Sequence, residues 1–147
     1  MADACRSITF DKGIEALRND HVYLARACFE QAVNEERSPH HCSYLAFAMA
    51  RTGVHAEEAI SLALEAVARE PENPVYYLNL GRVYLAAEER GKAIEAFRKG
   101  LQYAVNEEIV TELERLGTRK PPLFPSLGRN HPINRYLGIF LARLHLR

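Results

Sequence analysis

His40, His41 and Cys42 form the one tight cluster of metal-binding or proton-handling side chains in the sequence. Three consecutive residues on a helix point in different directions, and no second group at zinc-ligand spacing stands elsewhere in the chain. The run reads as a helix start with an incidental thiol. His21 and His55 fall in predicted turns, where solvated imidazoles are ordinary. The acid pairs Glu35–Glu36, Glu57–Glu58, Glu88–Glu89 and Glu107–Glu108 lie near helix ends, as solvated faces or first-turn charges rather than acid–base couples. No Gly-rich phosphate loop and no Ser or Cys nucleophile motif occurs. These residues predict no catalytic site, no metal and no cofactor, and the chain is not expected to be an enzyme.

The elements that position everything else come from a repeat. Ala25, Ala59 and Ala93 are separated by steps of 34 residues. Phe29, Ala63 and Phe97 keep the same step, as do Ala32, Ala66 and Gly100, and Val33, Val67 and Leu101. Small, large, small and aliphatic columns at one period predict repeated helix pairs, each too small to bury both faces alone. The clearest unit is PVYYLNLGRVYLAAEERGKAIEAFRKGL, where Tyr77, Leu80, Gly81 and Tyr84 precede Ala93, Phe97 and Gly100. Gly81 and Ala93 are small where antiparallel helices must approach closely. Tyr84 and Phe97 fill the space between one pair and the next.

This unit resembles the tetratricopeptide repeat, whose pattern runs aromatic, Leu-Gly, Tyr, then Ala, Phe, Ala and a closing Pro. The first unit keeps Gly13, Ala25, Phe29 and Ala32, with Arg-Asn-Asp at its turn. In the middle unit Leu45, Ala59, Ala66 and Pro71 fit, but Phe47 stands where Gly is expected and Gly53 comes one residue early. A slip of one position in its first helix would bring Ala46 into the small site. The resemblance implies an all-α fold: a right-handed α-solenoid of three helix-turn-helix repeats at about 6–38, 39–73 and 74–106. A covering helix at 107–116 should follow, capped by Asn106, led by Glu107 and Glu108 and stopped by Gly117, with Ile109, Leu113 and Leu116 on one face.

In this family the first helix of each pair lines a concave surface that binds a peptide or a helix. The resemblance therefore places Phe10, Ile14 and Leu17 on the groove from the first repeat. It adds Tyr44 and Phe47 from the second, and Leu78, Asn79, Arg82 and Leu85 from the third. Val75, Arg18 and Arg51 occupy neighbouring first-helix positions. The family's chaperone-binding branch holds a terminal carboxylate in a clamp of lysines, arginines and asparagines. Here the wall is mostly apolar, which suits an amphipathic helix. These apolar residues could equally bury against one another or against the next helix.

Of the 147 residues, 48% are hydrophobic and 26% charged, which suits a folded domain rather than a disordered chain. The net charge of zero conceals a partition. Residues 117–147 carry Arg119, Lys120, Arg129, Arg135, Arg143 and Arg147 with no acid, a local charge of +6, leaving 13 basic and 19 acidic side chains on the rest. Residues 118–131 are rich in Pro and predict an extended connector. Residues 132–146 predict a basic amphipathic helix, with Ile133, Leu137, Phe140 and Leu144 in register and Asn134, Arg135 and Arg143 opposite. This end of the chain resembles the ends of some short bacterial tetratricopeptide proteins, a likeness that implies no function.

Four roles are open for the tail helix. It could fold into its own groove, enter a neighbouring subunit to give self-association, touch an anionic membrane weakly and reversibly, or hold nucleic acid. Nucleic acid ranks last, because no aromatic platform or recognised module accompanies the arginines; neither nucleic acid nor membrane is expected as a partner. No run of about 18 apolar residues occurs, so no membrane span is expected. MADACRSITF lacks the layout of a signal peptide, and Cys5, Cys28 and Cys42 show no paired spacing, which points to a reducing, cytoplasmic setting.

The resulting expectation is a non-catalytic scaffold or adaptor for a protein or peptide partner. The alternative is a small chaperone whose tail shields the groove until a client displaces it. Type III secretion chaperones, similar in size and repeat number, are one such resemblance. Elemental analysis of the purified protein should find no metal at one equivalent per chain. A stoichiometric metal would revive the enzyme reading.

Overall fold

The computed structural model describes residues 2–53 and 55–117, with side chains described from residue 8 onward. Residues 1–113 form one compact unit and 114–147 a second, and all the contacts discussed lie within the first. Seven helices appear among the described residues: α1 (Ala2–Arg18), α2 (Val22–Glu35), α3 (Pro39–Thr52), α4 (Ala56–Arg69), α5 (Pro74–Ala86), α6 (Arg90–Tyr103) and α7 (Glu107–Arg115). The tail helix residues Ile133, Leu137, Phe140 and Leu144 lie outside the described residues.

Local sequence sets the starts of three helices. Ser38 Oγ accepts from the His41 amide at 3.1 Å, and Asn73 Oδ1 accepts from the Val75 amide at 3.1 Å. Each cap is followed by a proline, whose fixed φ suits the first helical position and whose missing N–H costs nothing there. Asn106 Oδ1 accepts from the Ile109 amide at 3.1 Å and opens α7. The turns inside the pairs each need a left-handed residue: Asp20 at φ 61°, Gly53 at φ 70° and Glu88 at φ 61°.

Those turn positions locate the irregularity of the middle pair. Asp20 and Glu88 occupy the same place in the 34-residue period, while Gly53 stands one residue before it. The cap of α3, Ser38, likewise comes one residue earlier than the cap of α5, Asn73, would set it. With that shift Ala46 is fully buried, and so is Ala63. Phe47, one position on, is left half-exposed.

In the outer pairs the same close approach is made by glycine under an aromatic ring. A Cβ built on Gly81 would stand 2.2 Å from Phe97 Cε1, and one on Gly13 would stand 2.5 Å from Phe29 Cε1. Both rings are completely buried. A third close contact receives α7. A Cβ on Gly100 would lie 2.8 Å from Tyr77 Cβ and 2.9 Å from Ile109 Cδ1, and Ile109 is fully buried. The two earlier repeats carry Ala32 and Ala66 at that position, so the glycine marks where the following helix comes nearest.

Gly81→Ala is expected to destabilise the protein by about 1–3 kcal/mol, the cost of overpacking a filled core. Gly91, in the first turn of α6, has open space around its Cα. Gly91→Ala should be neutral or stabilising by up to about 1 kcal/mol, since it removes only backbone freedom. Paired urea melts distinguish a steric role for Gly81 from a generic glycine effect.

Candidate peptide-binding cleft

The inner faces of α1, α3 and α5 meet at a cleft of about 350 Å³. Ile14 and Leu17 come from α1, Tyr44 and Phe47 from α3, and Val75, Leu78 and Asn79 from α5. Leu78 and Asn79 are buried at its floor, and the remaining apolar members are half-buried. Asn79 Nδ2 donates to Ser43 Oγ at 3.0 Å, which satisfies both side chains between α5 and α3. The floor therefore offers the cleft an apolar surface.

Charge enters at the rim. Arg82 donates from Nε to Glu112 Oε1 at 3.0 Å and from Nη2 to Glu108 Oε2 at 2.9 Å. Its guanidinium also lies 5.2 Å from the Phe47 ring centroid, and that of Arg51 lies 6.0 Å from the same centroid. Such placement is a favourable cation–π arrangement. Arg51 pairs with Asp20, whose side chain is 79% exposed. Arg18 lines the same edge and makes no ion pair among the described residues. The Tyr44 hydroxyl is held above its ordinary pKa first by burial and then by Glu108, against the pull of Arg82 and Arg18.

Among the described residues only one carboxylate, Glu108, lines the cleft, and it comes from α7. Neither α3 nor α5 carries any acid. The acidic excess expected of the repeat surface lies elsewhere: Asp20, Glu36, Glu70, Glu72, Glu88 and Glu89 occupy the turns, and Glu107, Glu108, Glu112 and Glu114 belong to α7.

Seven of the sequence-predicted groove residues come together here: Ile14, Leu17, Tyr44, Phe47, Leu78, Asn79 and Arg82. Phe10 and Leu85 are not among the cleft's lining. Phe10 instead packs in an aromatic stack between α1 and α3, with ring centroids 5.2 Å from Phe29, 4.7 Å from His40, 5.1 Å from His41 and 5.3 Å from Tyr44. Asn79 and Arg82, read from sequence as groove polar groups, are already engaged by Ser43 and by the two glutamates. Glu108 was not singled out for the groove. Its signal in sequence, an acid in the first turn of a helix, says nothing of which neighbour it meets.

The HHC run divides three ways. His40 sits against Phe10 and Tyr44, and burial followed by the neighbouring His41 lowers its pKa. His41 Nδ1 is 2.8 Å from the Glu36 carbonyl, and Cys42 is completely buried, with burial first and Glu65 second raising its thiol pKa.

Comparison with solved structures gives a uniform answer. The first tetratricopeptide domain of Spaghetti (RPAP3), solved with the HSP90 peptide SRMEEVD, is 19% identical and superposes with a TM-score of 0.63 over 76% of this chain and 92% of that one. The Arabidopsis OM64 domain is 17% identical, with a TM-score of 0.66 over 80% of this chain and 98% of that one. The chain has the tetratricopeptide-repeat fold. The Sgt2 tetratricopeptide domain from Aspergillus fumigatus gives 20% identity and a TM-score of 0.59 over 81% and 86% of the two chains. No protein-family model and no curated protein matches the sequence.

Within this tetratricopeptide fold two of the three cleft arginines, Arg82 and Arg51, have unequal structural roles. Arg82→Ala removes charged hydrogen bonds from Glu112, whose side chain is 11% exposed, and should cost about 1.5–3 kcal/mol. Arg51→Ala breaks an exposed pair and should cost under about 1 kcal/mol. Chemical denaturation measures both. Amide exchange should rise across 107–115 only in the Arg82 variant.

Proposed function

We propose that the chain is a non-catalytic protein-interaction module, a scaffold or adaptor that holds a peptide or an amphipathic helix of a protein partner in the cleft. One observation carries this reading. An apolar surface assembled from three helices, Ile14 and Leu17 with Tyr44, Phe47 and Val75, is left half-exposed around the cleft. Apolar surface of that kind is what an amphipathic segment covers. The Spaghetti (RPAP3) domain, of the same fold, was solved with a peptide from HSP90, which supports a peptide as the class of ligand.

The cleft's chemistry supports binding without catalysis. Its polar groups are matched to one another: Asn79 with Ser43, and Arg82 with Glu108 and Glu112. The buried Cys42 thiol, with its pKa raised, is a poor nucleophile. The chaperone-binding relatives hold their ligand in a clamp of lysines, arginines and asparagines; here Ile14, Tyr44 and Val75 line the cleft, and its Asn79 and Arg82 are already engaged by Ser43 and by the two glutamates.

Two occupants compete. The chain's own tail supplies an apolar stripe in Ile133, Leu137, Phe140 and Leu144, and as a displaceable shield it would make the protein a small chaperone. Its charge of +6 with no acid, however, meets Arg18, which has no ion pair among the described residues, and Arg51, held only by the exposed Asp20. An external partner meets no such penalty, and it is the occupant we favour.

A photo-crosslinking residue placed at Phe47 in the full chain, in its native host, tests this reading. Irradiation should give a discrete adduct with another protein, and the same probe at Leu64, which is 44% exposed on α4, should not. An internal link from position 47 to residues 132–146 would assign the cleft to the tail. Equal labelling from both positions, or none, would remove the cleft as the interaction site.

A further inference from the structure

The cleft's charge specifies its ligand more closely than its apolar floor does. Arg18 and Arg51 both lie in the last turn of their helices, α1 and α3, and so stand along one edge of the cleft. Arg18 has no ion-pair partner among the described residues. Arg51 is held only by the exposed Asp20, a pair weak enough to exchange for an incoming carboxylate. Arg82, over the same Phe47 ring as Arg51, is occupied by Glu108 and Glu112. Among the described residues the lining thus offers Arg18 without an ion pair and Arg51 in an exposed pair with Asp20, while its one carboxylate, Glu108, is already paired.

We propose that the cleft selects an acidic amphipathic segment. Its apolar stripe seats on Ile14, Leu17 and Phe47, and its carboxylates meet Arg18 and Arg51. This inference rests on the cleft being the interaction site and adds the chemistry of the partner. The basic tail fails the requirement, because Arg135 and Arg143, on the polar side of its predicted helix, would face Arg18 and Arg51. The carboxylates come from side chains rather than from a chain terminus, since both available cations lie on the rim and none is free on the floor.

The same molecule holds an internal control. A second cleft of about 360 Å³ lies between α2 and α4, lined by Glu30, Glu58 and Glu65 with Arg37. Arg37 there is bonded to Glu65 at 3.0 and 2.7 Å. Its acidic lining gives a basic peptide somewhere else to bind, so a site-specific readout is needed.

The test pans the full-length protein against a displayed library of helical peptides. Each peptide has a fixed leucine stripe and Glu, Gln or Lys varied across its polar face. The best binder is then measured as a C-terminally amidated peptide by fluorescence anisotropy. Glutamate should be enriched, amidation should leave binding unchanged, and affinity should fall as salt rises. Arg18→Glu combined with Arg51→Glu should weaken binding by about tenfold, the scale expected for reversing two rim charges.

Neutral or basic enriched faces whose binding is still lost in Phe47→Glu and Leu17→Glu overturn the acidic selectivity and leave the cleft as the site. Loss of binding on amidation overturns it in favour of a terminal carboxylate. Peptides that bind both cleft variants as well as the parent, or no enrichment at all, overturn the site and the selectivity together. Circular-dichroism melts establish that each variant is folded.

Discussion

A phenylalanine ring lying where a glycine has no side chain governs the geometry of this protein. The Phe97 ring occupies the space that a Cβ on Gly81 would need, and the Phe29 ring does the same at Gly13. Each contact lets two antiparallel helices close on each other without opening a void between them. Because the same contact recurs two full repeats apart, on either side of the middle pair, α1 and α5 hold equivalent places. The middle pair reaches close approach by a different route, with Ala46 and Ala63 both small and both buried. That exchange releases Phe47 from the interior and turns it toward the cleft.

The consequence for recognition is electrostatic as well as steric. Helix–helix contacts leave little room for charge, so the acids of this chain stand in the turns, on α7 and at exposed helix positions, Asp11 and Glu15 of α1 among them. Of the charged side chains on α1, α3 and α5, those that line the cleft are Arg18, Arg51 and Arg82. A chain with zero net charge thereby presents a cleft with a basic edge, and local field rather than overall charge decides what is attracted. Arg82 links the two levels. It ties α7 to α5 through Glu108 and Glu112 while lying over Phe47, so the covering helix supplies the one carboxylate that lines the cleft among the described residues.

Much of this was legible in the sequence because it follows from period and residue size. The 34-residue columns of Ala, Phe and small residues predict helix pairs, and Gly53 arriving one residue early predicts the shifted α3. Asn106 is recognisable as a cap because its chemistry is local. The pairings Asn79 with Ser43, Arg82 with Glu112 and Arg51 with Asp20 were not legible. They join residues 36, 30 and 31 positions apart, and their partners are fixed only once repeats have stacked. Phe10 shows the same limit. Its helical position predicts a groove residue, but the neighbouring His40, His41 and Tyr44 draw it into an aromatic stack at the junction of α1 and α3.

Scaffold and recognition therefore occupy separate positions on the same helices. On α5, Gly81 and Tyr77 are consumed by packing against α6 and its glycine, whereas Val75 and Arg82 face the cleft. On α3, Ala46 belongs to the scaffold and its neighbours Tyr44 and Phe47 to the cleft. Substitution at a scaffold position changes the distance between helices and is transmitted to the whole stack. Substitution at a half-exposed cleft position such as Phe47 or Val75 changes chiefly what the surface presents, whereas Arg82 serves both levels. A fold shared at under a fifth to about a fifth identity with the solved domains is thus compatible with an entirely different ligand chemistry. Here valine, isoleucine and tyrosine line the cleft beside Arg18, Arg51 and Arg82, a lining that the shared fold does not dictate.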